Sequence, residues 1–131
     1  MSNKHIHVAA AIIYKDKKFL LSKRQAHQHQ GDKWEFPGGK IEQGETNEQA
    51  LIRELQEEIN IRATQCEDFL SLEYEYPEKT VTLNFLLVTD FDGQPKGNEG
   101  QEVAWFDHEQ IQTLIFPDAN KPVLEKIRVL A

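Results

Sequence analysis

Hydrophobic and polar positions alternate along this chain with periods that change several times, and each change predicts an element. From Ile6 to Tyr14 the residues are mostly apolar, the pattern of a strand buried on both faces. Lys15 to Lys18 is a polar turn leading into a second strand, Phe19 to Arg24. Gln25 to Lys33 is polar without period and reads as a loop. Trp34-Glu35-Phe36 reads as a short strand, ended by a sharp backbone reversal at Pro37-Gly38-Gly39. The period then becomes helical. Leu51, Ile52, Leu55 and Ile59 share one side at about 100° per residue. Thr46 is a good N-cap and Gln49 completes a capping box, so the helix is predicted to start at Asn47.

Strict alternation returns in Phe69–Tyr76, with Leu70, Leu72, Tyr74 and Tyr76 on one face and Phe69, Ser71, Glu73 and Glu75 on the other. A turn at Pro77-Glu78-Lys79 predicts a hairpin with the strand Thr80–Asp90. Phe91 to Gly100 is rich in turn residues, Val103–Phe106 is a short strand, and Asp107 caps a short helix to about Thr113. Phe116 to Asn120 is a turn. Pro122 opens a last amphipathic helix with Val123, Leu124, Ile127 and Leu130 inward. Several strands interrupted by two or three helices predict a single α/β (α+β) domain over residues 1–131.

Composition narrows the function classes. With 131 residues, a net charge of −7 and a pI near 5.2, the chain lacks the basic balance of a protein that tracks a nucleic-acid backbone. A small polyanionic substrate is compatible with that charge, because metal ions bridge acids to phosphates. Cys66 is the only cysteine, so no internal disulfide is expected, and it reads as a small apolar residue. No apolar run approaches the roughly 20 residues of a membrane span. Val8–Tyr14 follows Lys4 but lacks a cleavage region before Lys15 and Asp16, so a strand is the better reading than a leader. A monomeric cytoplasmic protein is the expectation.

The helix carries the candidate chemistry. Glu54, Glu57 and Glu58 crowd one flank of its apolar stripe at i, i+3 and i+4. Like charges at those spacings repel, and acids sit badly near a helix C-terminus. Arg53, four residues before Glu57, relieves part of this, and a bound hard cation would relieve the rest.

Gly39, five residues, Glu45, seven residues, then Arg53-Glu54-Leu55-Gln56-Glu57-Glu58-Ile59-Asn60-Ile61 resembles the Nudix box, G-x5-E-x7-R-E-U-x-E-E-x-G-U with U apolar. One position departs, since Asn60 stands where the family has glycine. Asn is the usual substitute in the left-handed conformation wanted just past a helix end. The resemblance implies an α/β/α sandwich around a mixed β-sheet, with the box, residues 39–61, at its centre. It also implies Mg²⁺-dependent cleavage, with Mn²⁺ as a substitute, of a phosphoanhydride in a small nucleoside diphosphate derivative.

Under that resemblance the metal ligands are the Gly38 carbonyl, Glu54, Glu57, Glu58 and Glu99, and the catalytic group comprises Glu54, Arg53, Glu99 and Glu45. Glu54 and Glu99 are the two candidates for the base. Further stretches, Trp34–Glu42, Leu72–Pro77, Lys96–Gln101 and Phe116–Asn120, resemble the branch of the family that removes oxidised guanine nucleotides, chiefly 8-oxo-dGTP. That likeness assigns substrate contacts to Arg24, Phe36, Gly38, Gly39, Lys40, Lys79 and Asn120. Asn120 would read the purine edge, because an amide offers donor and acceptor together. Lys79 replaces an arginine of that branch and keeps the charge without the bidentate fork. Three alternatives stand beside this reading. One is a relative acting on modified pyrimidine nucleotides such as 5-hydroxy-dCTP. Another removes a triphosphate or cap from RNA, which the acidic balance disfavours. The third is a catalytically silent nucleotide-binding regulatory module, which a fully occupied acidic box disfavours.

Overall fold

The first strand decides the architecture because both of its faces are apolar. The structure, a computed structural model, describes residues 4–24, 33–114 and 121–130. In β1 (Lys4–Lys15), Ala9, Ala11 and Ile13 enter one core while Ala10, Ile12 and Tyr14 enter another. Such a strand needs cover on both sides, and helices supply it. The remaining strands are β2 (Lys18–Lys23), β3 (Trp34–Glu35), β4 (Gly38–Lys40), β5 (Arg62–Tyr76), β6 (Lys79–Asp92) and β7 (Val103–Asp107). The helices are α1 (Asn47–Ile59), α2 (His108–Ile111) and α3 (Lys121–Lys126), the last running into a 3₁₀ turn at Ile127–Val129.

The sheet is mixed. Its main order is β3-β2-β1-β6-β5, with β1 parallel to β6 and the other neighbours antiparallel. β1 and β2 pair only from Ile13–Leu20 to Lys15–Lys18, then separate. The segment 34–40 fills the gap like a wedge: β3 pairs with β2, β4 pairs with β1, and Ala11 N–H donates to the Pro37 carbonyl at 2.7 Å between them. β3 runs parallel to β1 and β4 antiparallel to it, so the chain reverses between Glu35 and Gly38 as expected, and the addition is that Gly38–Lys40 beyond the reversal is a short strand. Two glycines carry no strand propensity of their own, and the pairing with β1 supplies the conformation.

α1 lies on one face of the sheet. Leu51, Leu55 and Ile59 are fully buried there with Ala50, and Ile52 packs at the margin. Each such burial is worth roughly 1.5–3 kcal/mol. The capping box at Thr46 and Gln49, with hydrogen bonds of 3.0 and 2.9 Å, adds about 1 kcal/mol. A like-charge pair on a helix costs only about 0.2–0.5 kcal/mol. The apolar stripe thus outweighs the acidic flank, and the helix forms in spite of it. On the opposite face Ile111, Val123 and Ile127 cover Ile12, Phe19, Leu21 and Phe85, completing an α/β/α sandwich.

Other boundaries differ from expectation for local reasons. β5 begins seven residues before Phe69, because its polar first half is held by pairing with β6. Its alternation slips between Asp68 and Leu70, where a register shift turns Phe69 to the same core as Leu70 and Leu72. α2 ends at Ile111, short of Thr113. The expected turn Phe116–Asn120 and most of the loop Gln25–Lys33 lie outside the described residues.

Candidate active site

α1 delivers its carboxylates to the wedge. β4 runs beside the helix so closely that a side chain at Gly39 would collide with the Glu54 carboxylate, and one at Gly38 with the backbone of Ala9. Gly38 is required by proximity to backbone, whereas a side chain at Gly39 would displace the Glu54 carboxylate. Gly38 N–H donates to Glu58 Oε2 at 3.1 Å. In an extended strand the N–H and C=O of one residue share an edge, so the Gly38 carbonyl faces the acidic side as well.

Arg53 organises half of the acids. Its Nε and Nη2 form a bidentate pair with Glu45 at 2.8 and 2.9 Å, and Nη1 donates to Glu54 Oε1 at 2.9 Å. Nη2 also donates to the Lys40 carbonyl at 3.1 Å, which ties β4 to the helix. Glu57 and Glu42 stand further off, at 3.5 and 3.9 Å. The hydrogen bonds from Arg53, aided by the Glu42 N–H, hold the Glu45 carboxyl down to about 2. The same contacts raise the Arg53 guanidinium further above its ordinary range.

Glu58 has the opposite environment. Burial, then the charges of Glu54, Glu35 and Glu99, push its carboxyl up to about 8, and the single Gly38 N–H opposes them only in part. A half-buried acid among three others is a site for positive charge. Hard oxygen donors of this kind suit a hard divalent cation, so the residues fit the metal that the fold family implies. Glu54, Glu57, Glu58, Glu99 and the Gly38 carbonyl would hold it. Among the described residues no trio of acids, imidazoles or thiols is already closed to ligand spacing, and the cluster is an open acidic wall.

The remaining candidates spread outward. Arg24 donates to Glu35 Oε1 at 2.8 Å, at the margin of the cluster. Lys40 is exposed on β4. Phe36 is buried in the second core, edge-on to Phe85 with centroids 5.9 Å apart. From Phe85 the paired strands carry a half-buried apolar strip, Ile6, Val8, Val81, Leu83, Leu72 and Tyr74, on the face away from α1. Lys79 closes the far end of that strip, stacked over Tyr76 at 5.8 Å and about 20 Å of strand from Phe85. Phe36 and Lys79 thus share a face, although Lys79 is remote from the acids. Asn120 lies outside the described residues.

Three features escaped the sequence reading. Glu35 appeared only as a strand residue, and its signal was an acid between two aromatics in a very short strand. The apolar strip was hidden because its members also read as core. Asn98 and Gln101, which dock the Glu99 loop on α1, left no local signal. Cys66 is half-buried, and burial followed by Glu48 pushes its thiol up to about 11, which leaves it protonated. A cavity of about 290 Å³ lined by Asn47, Asp68, Ser71 and Asn84 sits at the other end of α1 and holds none of the site residues.

An acidic helix braced by one arginine against a glycine strand, inside an α/β/α sandwich, is the arrangement of a metal-binding phosphohydrolase site. The NUDIX domain model matches residues 3–127, and the chain belongs to the Nudix family. It is 43% identical to the 8-oxo-dGTP diphosphatase of Escherichia coli K12, over 97% of this chain and 99% of that protein. It is 39% identical to the CTP pyrophosphohydrolase of the same organism, over 97% of this chain and 94% of that protein. Among solved structures it is similar to a MutT protein from a study of Aliivibrio salmonicida and Vibrio cholerae, with a TM-score of 0.83 and 41% identity. That match covers 95% of this chain and 97% of the other.

Proposed function

We propose that this protein hydrolyses 8-oxo-dGTP to 8-oxo-dGMP and pyrophosphate, using Mg²⁺, with Mn²⁺ as a substitute. The observation that carries the reading is the half-buried Glu58, surrounded by Glu54, Glu35 and Glu99 and without a cationic partner of its own among its perturbing groups. When bound, the cation neutralises phosphate charge and lowers the pKa of coordinated water. Glu54, Glu57, Glu58, Glu99 and the Gly38 carbonyl bind it. Arg53 fixes Glu45 and Glu54, so that the Glu54 carboxylate can accept the proton of the attacking water. Glu99 is the second candidate for that proton. The oxygen of water joins the β-phosphorus, the bond to the α–β bridging oxygen breaks, and that oxygen leaves with 8-oxo-dGMP.

Base recognition falls to the strip beginning at Phe36, with Arg24, Lys79 and Asn120 as polar contacts and Gly39 and Lys40 beside the phosphates. The relatives named as 8-oxo-dGTP diphosphatases support an oxidised purine, and removal of such a nucleotide protects replication fidelity. The similar CTP pyrophosphohydrolase favours one second reading, a modified pyrimidine nucleotide such as 5-hydroxy-dCTP. The protein acts as a monomer in the cytoplasm. Among the described residues no helix is long and apolar enough to cross a membrane.

Pyrophosphate release is measured with Mg²⁺ on 8-oxo-dGTP, dGTP and 5-hydroxy-dCTP, beside Glu57→Gln. Strong preference for 8-oxo-dGTP, lost in the variant, is the expected outcome. Equal weak rates on all three would overturn the substrate. In H₂¹⁸O the label is expected in pyrophosphate, and label in 8-oxo-dGMP would move the attack to the α-phosphorus.

A further inference from the structure

The last turn of a helix leaves four carbonyls without partners inside the helix. In α1 they belong to Gln56, Glu57, Glu58 and Ile59, and residues of one distant loop satisfy all four. Asn98 Nδ2 donates to the carbonyls of Gln56 and Glu57 at 3.3 and 3.0 Å. Asn98 N–H donates to the Glu58 carbonyl at 2.9 Å, and Lys96 N–H to that of Ile59 at 3.0 Å. Gln101 Nε2 donates a second bond to the Glu58 carbonyl at 3.2 Å. The other end of the same amide, Oε1, accepts from Glu99 N–H at 2.9 Å. One primary amide therefore spans the backbones of Glu58 and Glu99, two acids separated by 41 positions in sequence.

We infer that Asn98 and Gln101 are positioning residues, which lock the Glu99 loop to the end of α1 so that Glu99 faces the acidic cluster at a fixed distance. The inference rests on the assignment of Glu99 to the Nudix site made above. Connecting loops are ordinarily more mobile than the elements they join. Here the loop is also the helix cap, so the helix cannot be capped unless Glu99 is delivered. An amide is required because the position needs a donor toward Glu58 and an acceptor toward Glu99 at once. Glutamate keeps the acceptor and loses the donor, while methionine keeps the length and loses both.

The test is a double-mutant cycle between Gln101→Met and Glu99→Gln, read by Mn²⁺ affinity from electron paramagnetic resonance and by steady-state kinetics. Alone, Gln101→Met is expected to lower kcat about 10–100-fold and weaken Mn²⁺ binding by a similar factor, as other orienting contacts of metal ligands do, with nucleotide KM within about twofold. Gln101→Glu is expected to fall at least as far, because it retains only the Glu99 contact. In the Glu99→Gln background, Gln101→Met is expected to cost less than about threefold in both readouts, because its purpose is already lost. Equal losses in both backgrounds would overturn the proposal and reduce Gln101 to a helix cap. Wild-type Mn²⁺ binding that is insensitive to Glu99→Gln would overturn it too. Mn²⁺ binding needs no nucleotide, so a wild-type enzyme inactive on 8-oxo-dGTP would remove the substrate assignment and leave this inference to the binding cycle. Asn98→Ala, with urea unfolding, separates loss of the cap from loss of folding. Its unfolding midpoint is expected to fall modestly, because two helix-end carbonyls lose their donor, with the protein still fully folded in buffer while Mn²⁺ affinity drops.

Discussion

Two carboxylates of this site, Glu45 and Glu58, stand on either side of Arg53 and have opposite fates. Glu45 receives a bidentate guanidinium and a backbone N–H, and its carboxyl is held at about 2. Glu58 receives one N–H from Gly38 and the repulsion of Glu54, Glu35 and Glu99, and its carboxyl rises to about 8. Helix α1 commits its one arginine to the brace and none to the proposed ligand. Charge completion at Glu45 makes structure, and charge deficiency at Glu58 makes affinity for a cation. A protein with both acids satisfied would have the same fold and nothing to bind.

Removing the deficiency should have the largest effect. Glu58→Gln is expected to lower kcat/KM on the order of 10³-fold, since a bound cation supplies several kcal/mol of transition-state stabilisation. Its thermal unfolding without metal should occur at or above the wild-type temperature at pH 8. Breaking the brace comes next. Arg53→Lys keeps a charge but loses the fork to Glu45 and the separate bond to Glu54, and about 10–100-fold in kcat is expected to go. Its acid unfolding should begin at higher pH than wild type. A depressed folded-state pKa contributes stability above the unfolded value near 4.5, lost as pH falls toward about 2, and the lysine variant forfeits part of that window.

The Glu58 side has the reverse sign. Its raised folded-state pKa contributes stability that is complete below about 4.5 and disappears as pH climbs through about 8. In chelator the melting temperature should therefore decline by several degrees from pH 5 to pH 8.5, and Mg²⁺ should flatten that decline. A flat profile in chelator would erase the contrast between the two acids. The smallest effect is a control outside both environments. Asp16 and Lys17 close the β1–β2 turn with φ of 53° and 63°, a left-handed region that aspartate tolerates and lysine does not favour. Lys17→Gly is expected to add about 1 kcal/mol of stability by urea unfolding while leaving kcat and the pH profile unchanged.

What was legible in the sequence follows the range of the interactions. α1 was bounded at both ends because its signals are local: Thr46 and Gln49 at the start, and at the end Asn60, whose φ of 63° and ψ of 31° are the left-handed conformation expected of it. The acidic flank was legible because a repelling arrangement on a short helix needs an external explanation. β4 was not, because three residues containing two glycines take their conformation from β1. The first half of β5 was hidden by register shifts that spoil alternation. The bridge from Gln101 to Glu58 was hidden for the same reason as the pairing of Arg53 with Glu45, which crosses eight positions through space. In each case the partner is chosen by the fold, and local pattern has no access to it.

β5 has one further consequence. Among the described residues it pairs only with β6, so a strand of 15 residues presents an open backbone edge. Such edges invite fibril growth when they are flat and apolar. Here three register shifts distort the ribbon, and Glu67, Asp68, Glu73 and Glu75 project along it. A second copy laid against this edge would meet like charges on a surface that does not lie flat. The features that blur β5 as a strand in sequence thus protect the molecule from stacking on itself.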